Sequence, residues 1–386
     1  MADLPVPIPK RFRDQFSAHS IRMRIADRSF ISLQSHKKTN EDCSLTREIH
    51  GGAIILLLCL LLIPTVFAHA PLGIGDNESI DRATVIPDPT KSWALYAHLN
   101  SDGDAQYYTF NTTTGQKIHV MMYKSTRPED ATFTPRVVII GPSVIAQGNI
   151  PSKITIPSGL DAQLVNQTEP QPTYEPFSPS TFIGLADATI ENPIAGQYYV
   201  VVYEQSDTPR GGNYGLAIGD RESYTVDEWI LIPFNLMNIY QWEGQSLTMV
   251  LAPMIATLLL GVVLVVWRLR KQGSLSNPMA LLGAVAGLTF IGTGVTVLCQ
   301  MLLAAMHVAI GTEAVITLIF AIVPLIIGLV TFRLSIKDSF KASIKKRIYY
   351  IILGIAALFI WSGLIIGPVL TIVASIMPTP IRKDNA

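Results

Sequence analysis

The sequence predicts an exported all-β sandwich followed by an α-helical transmembrane bundle. Three observations carry that expectation. Between Trp93 and Asp220, short segments alternate apolar and polar residues and are separated by turns rich in Gly, Pro and Asn. From Leu247 onward come four apolar stretches, each long enough to cross about 30 Å of hydrocarbon. Charge is also sorted along the chain. Lys and Arg against Asp and Glu number nine to six over residues 1–50, nine to twenty over 69–246 and eleven to three over 247–386. That pattern fits an acidic domain outside and basic loops inside.

The 386 residues leave room for one sizeable soluble domain and a membrane region. The acidic domain argues against nucleic acid, whose phosphates need a positive face. None of the three cysteines, Cys43, Cys59 and Cys299, falls in the outer domain. Disulfides and a Cys-ligated zinc site are excluded there, so the sandwich must stand on its own apolar core.

Residues 1–52 read as a cytoplasmic leader with Pro5, Pro7 and Pro9, basic residues throughout and no sustained apolar period. A translation start placed too early explains them equally well. Ala53–Ala68 is a run of sixteen mostly apolar residues behind Arg47, short for a spanning helix and right for an export signal. Cleavage after Ala68 fits the small-residue rule and exposes His69; cleavage after Ala70 would leave Pro71 at the scissile bond, a poor substrate. An uncleaved signal anchor is the alternative. Either way residues 69–221 lie outside.

Strands are expected at Trp93–Leu99, Ala105–Phe110, Lys117–Tyr123, Arg136–Ile140, Gln197–Tyr203 and Tyr214–Ile218. A further short strand is expected at Lys153–Ile156. In Lys117–Tyr123, Ile118, Val120 and Met122 share one face. The stretch with Pro170, Pro172, Pro176 and Pro179 reads as a surface excursion. Asp104–Phe110 with Gly115–Val120, and Ala195–Val202 with Gly212–Ile218, carry a spacing of aromatics and glycines that resembles the pre-peptidase C-terminal type of β-sandwich. The likeness covers about residues 93–220 and implies a jelly-roll-like accessory domain that binds or assists folding. The chain departs from that pattern at Thr134-Pro135-Arg136 and has no attached peptidase.

Residues 222–246 form a linker whose Trp229, Phe234, Tyr240 and Trp242 suit the membrane headgroup zone. The four spans are expected at about 247–267, 280–303, 314–332 and 351–373, within a bundle over 247–376. Arg268, Arg270 and Lys271 mark the first loop; Arg333, Lys337, Lys341, Lys345, Lys346 and Arg347 mark the third. The loop near His307–Glu313 has neither Lys nor Arg. The positive-inside rule then puts the sandwich and the tail, 377–386, outside.

Candidate sites are few. Asn77-Glu-Ser79, Asn111-Thr-Thr113 and Asn166-Gln-Thr168 are glycosylation triplets in the outer domain, and chance also produces such triplets in polar loops. A free N-terminal His69 offers an amine and a ring nitrogen, a pair that Cu(II) favours. The start His69-Ala70-Pro71-Leu72 is similar to mature domains of the periplasmic copper-resistance type. His98 and His119 could add ligands and Met121 a soft one; surface histidines and ordinary packing are the plainer account. Asn100–Asp104 hints at a calcium loop but lacks the bidentate Glu, so a hairpin turn is expected. Cys299, Met301, Met306 and His307 are a weak second copper hint. Gly283 and Gly287 form a small-xxx-small face for packing within the bundle or for self-association.

No P-loop, GxSxG, HExxH or CxxC occurs, and no cofactor is implied. The apolar centres of the four stretches hold no Asp, Glu, Lys or Arg, which disfavours a proton-coupled transporter. The leading expectation is a non-enzymatic cell-surface protein that binds a ligand or a membrane or envelope partner. A copper-binding or copper-delivery protein and a transport-associated subunit are the alternatives.

Overall fold

The computed structural model describes residues 69–102, 105–206, 208–272, 278–336 and 344–378, all within one compact unit, Ile63–Ala386. The leader, the export segment, both cleavage sites, Cys43 and Cys59 lie outside the described residues. So do Gly103 and Asp104 of the expected turn, and the tail from 379.

Among the described residues, eleven strands make two facing sheets. They are β1 Ala70–Pro71, β2 Thr84–Val85, β3 Trp93–Leu99, β4 Ala105–Thr112, β5 Ile118–Ser125, β6 Pro135–Gly141, β7 Asp161–Leu164, β8 Pro172–Glu175, β9 Ser180–Ile190, β10 Gly196–Glu204 and β11 Gly212–Ile218. One sheet runs β1-β3-β11-β5-β9-β8 and the other β2-β4-β10-β6-β7. Most neighbours are antiparallel; the two-residue strands β1 and β2 join β3 and β4 in parallel, which makes both sheets mixed. The six principal strands fall where alternation put them. The core lies between the sheets: Leu95, Ile118, Val120, Met122, Leu216 and Ile218 from one, Tyr108, Phe110, Val137, Ile139, Val200 and Val202 from the other. The run Val200-Val201-Val202 is buried on both sides. Val201 packs with Tyr107, Val138 and Ile154 in a second cluster on the outer face of the smaller sheet. A continuous apolar run is what a doubly covered strand requires.

Three expectations are corrected. Lys153–Ile156 is not a strand; Ile154 turns in beneath the outer face of the smaller sheet, and the Thr155 amide donates to the Tyr107 hydroxyl at 3.1 Å. The strand in that region is β7. The proline-rich stretch is not a surface excursion. It contains β8, and its far end plugs into the helices: the Tyr174 hydroxyl bonds the Thr317 hydroxyl at 2.6 Å, and Thr317 donates to the Pro176 carbonyl at 2.7 Å. β9, eleven residues long, was hidden because Gly184 and a register shift opposite Met122 and Tyr123 break its alternation.

The third correction concerns the membrane region. The linker is a helix, α1 Val226–Trp242, opened by a capping box between Thr225 and Glu228. Then come α2 Leu247–Gln272, α3 Pro278–Ala304, α4 Ala314–Ile336, α5 Ile344–Phe359 and α6 Ile366–Ile376. The spans of α2, α3 and α4 are long and apolar enough to cross a membrane. The fourth expected span is not one helix. It breaks at 360–365, where Trp361, Gly363, Leu364 and Ile365 all take positive φ, and α6 folds back along α5. Arg347, in the first turn of α5, donates to the carbonyls of Ser375 and Met377 past the end of α6. At 1.5 Å per residue, α5 and α6 reach only about 24 and 16 Å. The C-terminal helix therefore ends at the end of the bundle away from the sandwich, not beside it. Four consecutive spans would have brought it back to the sandwich.

Candidate ligand cavity between the sandwich and the first helix

The larger sheet turns its outer face toward α1. Alternation places Tyr96 on β3, and Met121 and Tyr123 on β5, on that face. Gly215 of β11 lies between β3 and β5, paired with Tyr96 on one side and Tyr123 on the other. A Cβ at Gly215 would sit 2.0 Å from the Tyr123 ring, so only glycine lets that ring lie flat on the sheet. Trp242, the last residue of α1, closes the cluster. Its ring meets Tyr96 at 5.2 Å and Tyr123 at 6.0 Å, and its indole N–H points to the carbonyls of Ala97 and Tyr214 at 3.2 Å. The Asn213 amide donates to the Trp242 carbonyl at 2.6 Å. At the other end of α1, the Lys91 ammonium meets both oxygens of Glu228 at 2.7 Å.

Between these two attachments the sheet and α1 frame a partly open cavity of about 80 Å³. Tyr96, Tyr123, Phe177, Phe182, Tyr224 and Trp242 supply its aromatic walls. Among the described residues, Glu175, at the end of β8, is its one carboxylate, and no Lys or Arg lines it. One Glu175 oxygen accepts from the Phe177 amide at 3.1 Å. Burial pushes this carboxyl up to about 7, and Glu222 nearby adds to the shift. Close by, burial pushes Glu243 up to about 8, opposed by the Thr181 amide that donates to it at 2.6 Å.

A second cavity lies beneath α1, among the helices. It is lined by Met254, Val297, Phe320, Ile360 and Leu364, and shares Phe177 and Leu236 with the first. Its floor is the break between α5 and α6. There the Trp361 indole donates to the Trp229 carbonyl at 2.8 Å, and Gly363 N–H donates to the Thr293 hydroxyl at 2.8 Å.

The histidines part company. His69 lies at the cavity rim, its Nδ1 bonded to the Ser92 hydroxyl. His119 is held between Asp187 and Asp220, 2.9 Å from each. Burial, and then the nearby His119, hold His69 below its usual value, against Asp220. The fold therefore brings His69 and His119 together. His98 does not join them: it sits toward the opposite end of β3, bonded to Asn213 at 2.7 Å. No group of three or more His, Cys, Asp or Glu among the described residues is arranged to hold a metal ion. A chelate through the amine and Nδ1 of His69 would need the atom that Ser92 already engages.

Of the glycosylation triplets, Asn111 and Asn166 are exposed. Asn77 is 1% exposed and its amide donates to the Tyr107 carbonyl at 3.2 Å, so this fold leaves no room for a glycan there. Of the linker aromatics, Phe234 is exposed, but Tyr240 is buried and Trp242 faces the sheet, not a headgroup layer. Gly283 packs on Tyr350 and Ser335, and Gly287 on Phe332 and Gly328; their small face is occupied inside the chain. Cys299 is a free, partly buried thiol.

No sequence signal named Glu175, Trp242 and Phe182 as neighbours, because they meet only when β8, β9 and α1 fold onto one sheet face. The capping box, Thr225-Val-Asp-Glu228, was a local sign that a helix starts there.

No family model matches the chain, and no curated protein does. Among solved structures, it is similar to the pre-peptidase C-terminal domain of a collagenase from Bacillus anthracis. The identity is 16% over 35% of this chain and 93% of that one, with a TM-score of 0.21. It is also similar to MopE, a secreted copper-binding protein of Methylococcus capsulatus. There the identity is 11% over 40% of this chain and 92% of the other, with a TM-score of 0.18. At those scores neither likeness carries an argument about function.

Proposed function

We propose that this chain is a multi-pass membrane protein whose β-sandwich is a non-enzymatic, ligand-binding domain on the cell surface. The cavity under α1 is its binding site. One observation carries the reading: the face of the sheet that would otherwise meet solvent is roofed by α1, the helix that leads into the apolar helices, and the roof leaves a cavity. An occupant would touch β3, β5, β8 and α1 together, and α1 rests on the break between α5 and α6. Ligand state would thus be felt in the helices. The sidedness rests on the charge pattern, acidic in the sandwich and basic at the far end of the bundle. A partner in the membrane would meet α2, whose Leu259, Leu260, Val263 and Leu264 are exposed.

The test is native mass spectrometry of the protein released from its own membranes, beside Met121→Trp, which fills the cavity. A small-molecule adduct that the variant loses, with its unfolding midpoint within a few degrees of the parent, is the expected result. An adduct kept by the variant would move the site elsewhere.

A further inference from the structure

Resting on the reading that this cavity takes a ligand, we propose that its occupant is an organic cation: an alkylammonium head set against the Glu175 carboxylate and the rings of Tyr96, Tyr123, Phe182 and Trp242. Glu175 accepts one hydrogen bond and makes no ion pair among the described residues. The charged neighbour that adds to its shift, Glu222, is also acidic. The one nitrogen base on the wall, His69, is held toward its neutral form by burial. An anion would meet a carboxylate with no Lys or Arg to offset it. A neutral apolar ligand would strip water from Glu175 and leave its charged form without a partner. A cation satisfies it.

The ring inventory points the same way. Trp, Tyr and Phe faces attract cations through their quadrupoles, Trp most strongly, and aromatic walls with a carboxylate suit an ammonium that carries alkyl groups. The Tyr123 and Phe182 rings, with centroids 4.9 Å apart, and the Trp242 ring stand on the same wall as the carboxylate. The head chemistry is shared by two sources, a soluble amine and a long-chain amine from the membrane. The second cavity bears on which: it is apolar, lies among the helices and begins behind Phe177 and Leu236, where a hydrocarbon tail would run.

The experiment is calorimetric titration of the full chain in dodecyl maltoside, which has no amine, at pH 8. The probes are choline, its neutral isostere 3,3-dimethylbutan-1-ol, decyltrimethylammonium and decyl sulfate. Choline is expected to bind at least tenfold more tightly than the isostere. Glu175→Gln should remove that preference and leave isostere binding unchanged, with an unfolding midpoint near the parent's. Should that variant not fold, Phe182→Leu, which keeps the carboxylate and removes one ring, should lower choline affinity severalfold. Decyltrimethylammonium binding tenfold or more above choline identifies the membrane source; equal affinities identify the soluble one. Choline bound no better than the isostere, or equally well by Glu175→Gln, overturns the cation assignment while the cavity reading stands. If no probe binds, the cation assignment falls, and the cavity reading is decided by the adduct experiment alone.

Discussion

Lys124 shows how single residues hold this sandwich together. Its side chain is 6% exposed and its ammonium donates to the carbonyls of Asp130, Ala131 and Phe133 at 2.8–3.0 Å, tying the loop before β6 to β5. Lys124→Met keeps the stem and orphans three carbonyls, so we expect a loss of about 3 kcal/mol in denaturant unfolding. Glu175 and Glu243 make a prediction of opposite character. An unperturbed carboxyl titrates near 4.5, whereas these two sit at about 7 and about 8 in the fold. Between those values the native state binds more protons than the unfolded one. Their contribution is therefore fully present below pH 4.5 and is lost as pH rises through 7 to 8. Thermal midpoints should fall from about pH 5 to about pH 8, and Glu175→Gln with Glu243→Gln should flatten that slope. An unchanged slope in the double variant would show that other groups set it.

At the scale of elements, α1 decides how sandwich and bundle meet. It is clamped at its start by Lys91 and at its end by Trp242, whose ring packs on Tyr96 and Tyr123. Trp242→Ala removes a half-buried aromatic side chain and two N–H contacts, at a cost of about 2 kcal/mol. Because the loss falls on a joint, it should appear as faster amide hydrogen exchange across α1 while β10 and β11 keep their protection. Uniform loss of protection would instead make α1 part of the sandwich core. The break between α5 and α6 is the second special element. Trp361, Leu364 and Ile365 take positive φ, which non-glycine residues adopt at a cost, and ring contacts of Trp361 to Phe177, Trp229 and Phe320 help hold them there.

Among the described residues a sandwich is seated on a bundle, and that topology makes the sharpest prediction. With the sandwich outside, three spans and a hairpin leave the end of α6 on the inner side. Asn111, on β4, and Pro378, just past α6, are both exposed. Single cysteines at these two positions, in a chain with its own cysteines removed, should be labelled from opposite faces of sealed vesicles. Labelling from the same face would restore four spans. The hairpin escaped the sequence reading for a physical reason. Residues 351–373 are mostly apolar and carry no charge, and hydropathy registers that they prefer lipid to water but not whether they cross once or turn back. The turn is built from tertiary partners, the Thr293 hydroxyl and the Trp229 carbonyl, which no local pattern announces.

By itself the sequence determined the sorted charges, the six principal strands, their inward faces and the existence of an apolar helical region. Those features follow from periodicity and composition, which act over a few neighbouring residues. Strands broken by Gly184 or short enough to depend on a neighbour stayed invisible, as did the hairpin. Tertiary structure alone decided the site. Glu175 on β8, Tyr123 on β5 and Trp242 on α1 are far apart in sequence and become one wall only because the larger sheet leaves a face that α1 must cover. It also separated His98 from His69 and His119 and buried Asn77. Contact between distant segments is set by which faces remain to be buried once the strands have paired, and that is a property of the assembled sheets.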